Sequence, residues 1–113
     1  LNKDKFNSFF FMDTVCKFSI GQIIHHILFN YRGVIIDIDS NFQGTETWYR
    51  DVAKSSPPRD KPWYHVLVDQ SNLVTYVAER NLEEEISKEP IENPLIKEFF
   101  KDFKNGFYIV EFS

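Results

Sequence analysis

Three histidines, one cysteine and a set of carboxylates are the groups with which this chain could do acid–base, nucleophilic or metal chemistry. His25 and His26 are consecutive, and on a strand consecutive side chains point to opposite faces, so both cannot ligate one metal ion without a bulge. His65 stands in a different β-rich run. With Asp37 or Asp69 it makes an incomplete site, and no recognised ligand spacing accompanies it, so neither a metal nor a cofactor is expected. Asp37 and Asp39 share a strand face and could work as an acid–base pair, although two carboxylates at a strand end are more often solvated. Cys16 has Val15 and Lys17 for neighbours and no base beside it, which reads as a spectator thiol. Ser55 and Ser56 lie in a proline-bounded loop with no strand–turn–helix elbow, and Gly21, Gly33, Gly44 and Gly106 are too dispersed to cradle a phosphate. No nucleophile, base and oxyanion donor converge, so the chain is not expected to be an enzyme.

The remaining constellation is aromatic and mildly basic. Tyr31, Arg32, Trp48, Tyr49, Arg50, Trp63 and Tyr64 occur with Lys17, His26, Lys54, Arg59 and Lys61, and aromatics interleaved with Arg can stack bases or grip a peptide. Rings on central strands are usually buried, so Trp63, Tyr64 and Tyr31 read first as core. Trp48, Tyr49 and Arg50 fall in a long polar loop and are better candidates for contact with a partner. The set expected to meet a partner protein or DNA is therefore Tyr31, Arg32, Trp48, Tyr49, Arg50, Lys54, Arg59, Lys61 and His65.

The elements that must position these groups are mostly strands. Residues 62–69, Pro-Trp-Tyr-His-Val-Leu-Val-Asp, are rich in aromatic and β-branched side chains and bounded by turn-prone segments, as expected of a central strand. Alternation places Trp63, His65 and Leu67 on one face and Tyr64, Val66 and Val68 on the other, so both faces should be covered. Residues 18–21 read as a turn, 22–26 as a first strand, 29–30 as a second turn, and 31–39 as the strongest β run. Within that run Gly33 marks a bulge or a close backbone approach. Residues 41–61 read as a long loop, broken by Gly44 and Pro57-Pro58, of the kind that is usually functional or mobile. Residues 62–69 and 74–79 form an antiparallel hairpin across a short turn, and Asn81-Leu82 begins a last short strand or a 3₁₀ turn. Asn93 and Pro94 then supply an N-cap and a first-turn proline for a C-terminal helix carrying Leu95, Ile96, Phe99, Phe100 and Phe103 on one face. Gly106 can stop that helix, with residues 107–112 as a final strand or ordered tail. The expected fold is mainly β: a small antiparallel barrel or roll with a C-terminal helix. Its apolar face could dock a second copy, which makes a homo-oligomer one expectation.

At 113 residues one domain is expected, with 42% hydrophobic and an unusually high 17% aromatic content. The net charge of −4 is unevenly spread. Residues 17–64 are close to neutral, whereas residues 65–113 carry ten acids against five bases. An acidic chain without a basic run is a poor non-specific binder of nucleic acid, so any DNA binding needs a local basic face. A lone cysteine excludes an internal disulfide framework and fits a reducing cytosol. No stretch approaches the length of a membrane span, and Phe9-Phe10-Phe11-Met12 is too short for a signal-peptide core. Met12 is expected to be the native start, with residues before it an extension.

Four ordered blocks resemble the YccV-like, or hemimethylated-DNA-binding, domain family. They are Phe18-Ser-Ile-Gly-Gln-Ile-Ile-His-His, Asn30-Tyr-Arg-Gly-Val-Ile-Ile-Asp-Ile-Asp, Pro62-Trp-Tyr-His-Val-Leu-Val-Asp and Thr75-Tyr-Val-Ala-Glu-Arg-Asn-Leu. The resemblance covers residues 18–94 and leaves 1–17 as an N-terminal extension and 95–113 as helix and tail. It implies an SH3-like β-barrel in a cytoplasmic heat-shock protein. It implies two activities: binding hemimethylated origin DNA, and acting as a specificity-enhancing adaptor for the Lon protease on substrates such as the replication initiator. It brings no catalytic residues. The family's recurrent positions fall on Gly21, His26, Tyr31, Gly33, Asp37, Trp63, Tyr64, Val66, Tyr76, Ala78, Glu79, Asn81 and Leu82, most of which read as fold determinants. Because Asp51 and Asp60 interrupt the basic residues, a protein partner is expected ahead of DNA.

Overall fold

A computed structural model describes residues 10–11 and 14–110. The expectations for Phe6, Phe9 and Met12 lie outside them. A short ribbon pairs β1 (Phe10–Phe11) with β2 (Thr14–Val15). The main sheet is antiparallel and contains β3 (Ile23–His26), β4 (Arg32–Asp39), β5 (Trp63–Val68), β6 (Val74–Ala78) and β7 (Leu82–Glu84), in the order β6-β5-β4-β3-β7. A 3₁₀ turn over Glu79–Asn81 joins β6 to β7. The fold is mainly β, as expected. Its ladder is open: β6 and β7 are the two edges and do not pair with each other among the described residues, so hydrogen bonding closes no barrel.

β5 is central in composition and in packing. Tyr64 and Val66 point to one side, into a core with Phe18, Ile24, Ile35, Val77 and Leu82. Leu67 points to the other, with Ile23, Val34, Ile91, Phe100 and Tyr108. The expected two-sided burial is met, because both faces of one strand supply cores. Gly33 is the close approach rather than the bulge: a β-carbon there would stand 2.5 Å from Val66 Cγ1 and 2.6 Å from the Leu67 carbonyl oxygen. The bulge lies further along β4, where the register with β5 shifts between Ile35 and Asp37.

The C-terminal segment departs from expectation. Asn93 is not the N-cap expected of it: its Oδ1 accepts from Leu95 N at 2.9 Å in a turn ahead of the helix, the cap position is Leu95 without a side-chain bond, and the helix α2 (Ile96–Phe99) is a single turn. The chain then enters a hairpin of β8 (Phe100–Lys104) and β9 (Phe107–Val110). Asn105 and Gly106 both have positive φ, 53° and 83°, the conformation that two-residue hairpin turns demand and that Asn-Gly supplies most readily. That turn overrides the helical spacing. Phe100 and Tyr108 become core, Phe103 packs at a tilt against Tyr108 at 4.5 Å, and the face expected to dock a second copy is largely consumed within the chain. Gly21 ties the hairpin to the sheet: its φ is +92°, and Tyr108 N donates to its carbonyl at 2.9 Å.

Candidate functional site

The segment expected to be a loop, residues 41–61, contains the helix α1 (Glu46–Val52), with Thr45 as N-cap accepting from Trp48 N at 3.1 Å. Seven residues are too few to be helical on their own in water. Tertiary contacts hold them, chiefly through Phe42. Its ring lies 4.9 Å from Trp63, 5.3 Å from Tyr49, and 5.9 Å from both Trp48 and Tyr76, forming one continuous aromatic cluster over the outer end of β5 and β6. Tyr49 OH donates to the Pro57 carbonyl and Trp63 Nε1 to the Pro58 carbonyl, which fixes the returning chain against the helix. Trp48 and Tyr49 are thus half-buried on a packed helix rather than placed on a mobile loop.

On the opposite side of β6 stands the turn between β3 and β4. His26 Nδ1 accepts from the backbone N–H groups of Leu28 and Phe29 at 3.2 and 3.0 Å, so its proton resides on Nε2. Burial, followed by the nearby His25, holds the His26 pKa below its usual value and keeps the ring neutral, as the two accepted bonds require. The same ring stacks on Phe29 at 4.7 Å and packs, tilted, against Tyr31 at 4.9 Å. Tyr31 reaches across to Thr75, hydroxyl to hydroxyl at 2.7 Å. Phe29 is therefore rigidly presented although it is 72% exposed, and Leu28 beside it is 54% exposed. Between this turn and α1 runs a groove of about 880 Å³ whose lining includes every residue of β6.

Of the two carboxylates considered for His65 the structure brings up Asp37, and it adds Asp39, which was not considered for that histidine. The β4 bulge sets Asp37 directly across from His65, and Asp37, Asp39 and His65 each bring a ligand-type atom within 4.8 Å of the others. Asp69, the other carboxylate considered for His65, instead binds Arg32. Asp39 Oδ2 accepts from Tyr76 OH at 2.6 Å and lies 3.2 Å from His65 Nε2. Burial, then the bond to Asp39, pushes the Tyr76 hydroxyl well above its usual pKa, so it stays a donor. This is the one group of residues among those described whose side chains could hold a metal ion. As it stands it is a hydrogen-bonded chain that fixes the His65 ring at 4.6 Å from Tyr76.

The basic candidates are mostly engaged. Arg32 Nη1 binds Asp69 at 2.9 Å, and Nη2 donates to the carbonyls of Ser87 and Glu89. Arg59 pairs with Glu46 and lies 3.9 Å over the Tyr49 ring. Arg50 has Asp51 at 3.4 Å. Lys54 and Lys61 are exposed, and Lys54 lines the groove. The other family positions serve packing: Tyr64 OH donates to Glu79, which also accepts from Lys17 N, and the Asn81 carbonyl accepts from Ile27 N. Cys16 is buried, and burial with the nearby Glu79 raises its pKa, the reverse of an activated thiol.

Sequence reasoning missed Phe42, Leu28, Phe29, Val52 and Val74. A signal for the turn existed: Ile27-Leu28-Phe29 is an apolar run at a position that turn chemistry would fill with polar residues, and exposed apolar runs are unfavourable unless they have a use. No helix among the described residues is long and apolar enough to cross a membrane. Residues 16–106, most of the chain and all five strands of its main sheet, match the family described as "Hemimethylated DNA-binding protein YccV like", and the chain belongs to that family.

Proposed function

We propose that this chain is a non-catalytic stress protein that binds unfolded segments of other proteins and acts as an adaptor or specificity-enhancing factor for a Lon-type ATP-dependent protease. One observation carries the reading: the groove beside β6 is mainly apolar and walled by rings and aliphatic side chains, while Arg32 and Arg59, which phosphate contacts would need, are held by carboxylates of the chain itself. An aromatic groove on a rigid frame fits an apolar peptide better than a polyanion. The test is degradation of a denatured model protein by Lon with this chain added across a concentration series. Faster degradation that saturates is expected, and no change at any concentration sinks the proposal.

A second reading, recognition of hemimethylated DNA through an SH3-like barrel, is favoured by the description of the family. Lys54, Lys61 and Arg50 would supply phosphate contacts, and an apolar surface beside them would sense an adenine methyl in the major groove. Mobility-shift assays with hemimethylated and fully methylated duplexes distinguish it. Absence of binding to either at low salt excludes it.

A further inference from the structure

The two edges of the main sheet differ in chemistry. β7 is three residues long and carries Glu83 and Glu84, and shortness and charge are the usual protections of an edge against pairing with another chain. β6 reads Val-Thr-Tyr-Val-Ala, without charge or proline and without a register shift against β5. The ladder fixes which of its backbone groups point outward. Val68 N donates to the Leu73 carbonyl and Glu79 N to the Pro62 carbonyl, so the odd-numbered residues 73 to 79 bond to β5. Val74 and Tyr76 therefore turn their N–H and C=O groups away from the sheet. Among the described residues none hydrogen-bonds to them, and Val74 is 47% exposed. Ala78 follows in the same alternation but is buried.

The unpaired edge runs along the groove, with Phe29 and Tyr31 on one side and Trp48 and Val52 on the other. A strand laid against β6 would send alternate side chains to these two walls while its backbone bonded to Val74 and Tyr76, which is the geometry of strand addition. We infer that β6 is a strand-addition site for an extended, uncharged apolar segment of another protein. The inference rests on the protein-binding reading above and specifies how the partner is held. Backbone bonding gives affinity without a sequence requirement, and the two apolar walls select against charged segments.

The test uses the full chain and four probes in fluorescence anisotropy: a carboxymethylated, permanently unfolded protein, an eight-residue Val/Phe peptide with terminal lysines, and two versions of that peptide N-methylated at alternate amides, one on each edge. Val74→Pro removes only an outward N–H, at the first residue of an edge strand, where proline is tolerated. Expected are binding of the first two probes, at least tenfold weaker binding of the peptide methylated on the pairing edge, and at least tenfold weaker binding of the peptide to Val74→Pro with an unchanged melting temperature. If the methylated peptides bind as tightly as the parent, whichever edge is blocked, the groove holds side chains only, and strand addition is overturned while protein binding stands. This arm needs no variant to fold. If neither the unfolded protein nor the peptide binds, the protein-binding reading fails and takes the inference with it. If Val74→Pro converts a dimer of this chain to monomer, the occupant of β6 is a second copy and the inference is overturned.

Discussion

Phe42→Ala should detach α1 without unfolding the sheet. Phe42 is half-buried and central to the aromatic cluster, touching Trp48, Tyr49, Trp63 and Tyr76. Truncating a fully buried Phe costs about 3–5 kcal/mol; half burial scales that to about 2 kcal/mol, and the loss of ring-edge geometry adds about 0.5–1 kcal/mol. The expected cost is therefore about 2–3 kcal/mol, or roughly 8–12 °C in melting temperature for a domain of this size. The loss has a ceiling, because once α1 has undocked the variant has nothing further to lose there. Amide exchange makes this visible: protection in α1 should vanish, while amides at the β4–β5 pairing should lose protection by no more than the global 2–3 kcal/mol. Emission from Trp48 should shift to the red, whereas Trp63, anchored to the Pro58 carbonyl at 3.0 Å and 1% exposed, should change less. Peptide binding should fall because Trp48 and Val52 leave the groove wall. A cost under about 0.5 kcal/mol with unchanged emission would refute the claim that the cluster holds the helix.

Gly21→Ala should cost more than about 2 kcal/mol by urea denaturation, since the added carbon would sit 2.2 Å from the Tyr108 carbonyl oxygen at a φ that L residues disfavour. Arg32→Ala should destabilise by about 1–3 kcal/mol, because Asp69 and two backbone carbonyls lose their donor, and it should leave partner binding unchanged when measured well below its melting point. The adjacent histidines should titrate on opposite sides of about 6.5 in an NMR experiment. His25 is raised by its bonds to Asn30 and Glu83, so its contribution to stability is present below pH 6.5 and lost as pH rises through its folded value. His26 is lowered, so its contribution is present above pH 6.5 and lost as pH falls through its folded value. Coincident titration of the pair would contradict both assignments.

The strands of the main sheet were legible because β-branched and aromatic residues alternate between turn signals, and both faces of β5 are needed for burial. The C-terminal hairpin was not read, although its strongest signal was present: Leu95, Phe99 and Phe103 fit a helix by spacing, and only Asn105-Gly106 opposes them. α1 was invisible for a different reason, since a seven-residue helix stabilised by Phe42 from outside its own span has little local signature. The site was hidden by register. Without the bulge between Ile35 and Asp37, Ile36 would stand opposite His65, and Asp37 would face the core formed by Tyr64 and Val66. One inserted residue turns the carboxylate outward and completes the Asp37–Asp39–His65 group, where strand alternation had offered Asp37 only as one of two choices for His65 and had not joined Asp39 to it.

The family description and the charge distribution of this chain favour different partners, and magnitude can decide between them. The cations of α1, of the segment that follows it and of the 3₁₀ turn that are not held by a strong internal pair are Arg50, Lys54, Lys61 and Arg80, of which Lys54 lines the groove and Arg50 has Asp51 at 3.4 Å. Each neutralised phosphate contributes about 0.9 to the slope of log affinity against log salt. Four contacts set that slope at about 4 or less, so affinity for duplex DNA should fall roughly a hundredfold between 50 and 200 mM salt. The starting point is already low, because the net charge of −4 opposes approach to a polyanion. Binding of an apolar strand to β6 has no such dependence, since neither backbone hydrogen bonds nor ring contacts release counterions. Titrating salt against both ligands therefore ranks the two readings at the ionic strength that matters. A DNA slope of 6 or more would mean that cations here read as internally paired are released on binding, and the electrostatic argument for a protein partner would not survive it.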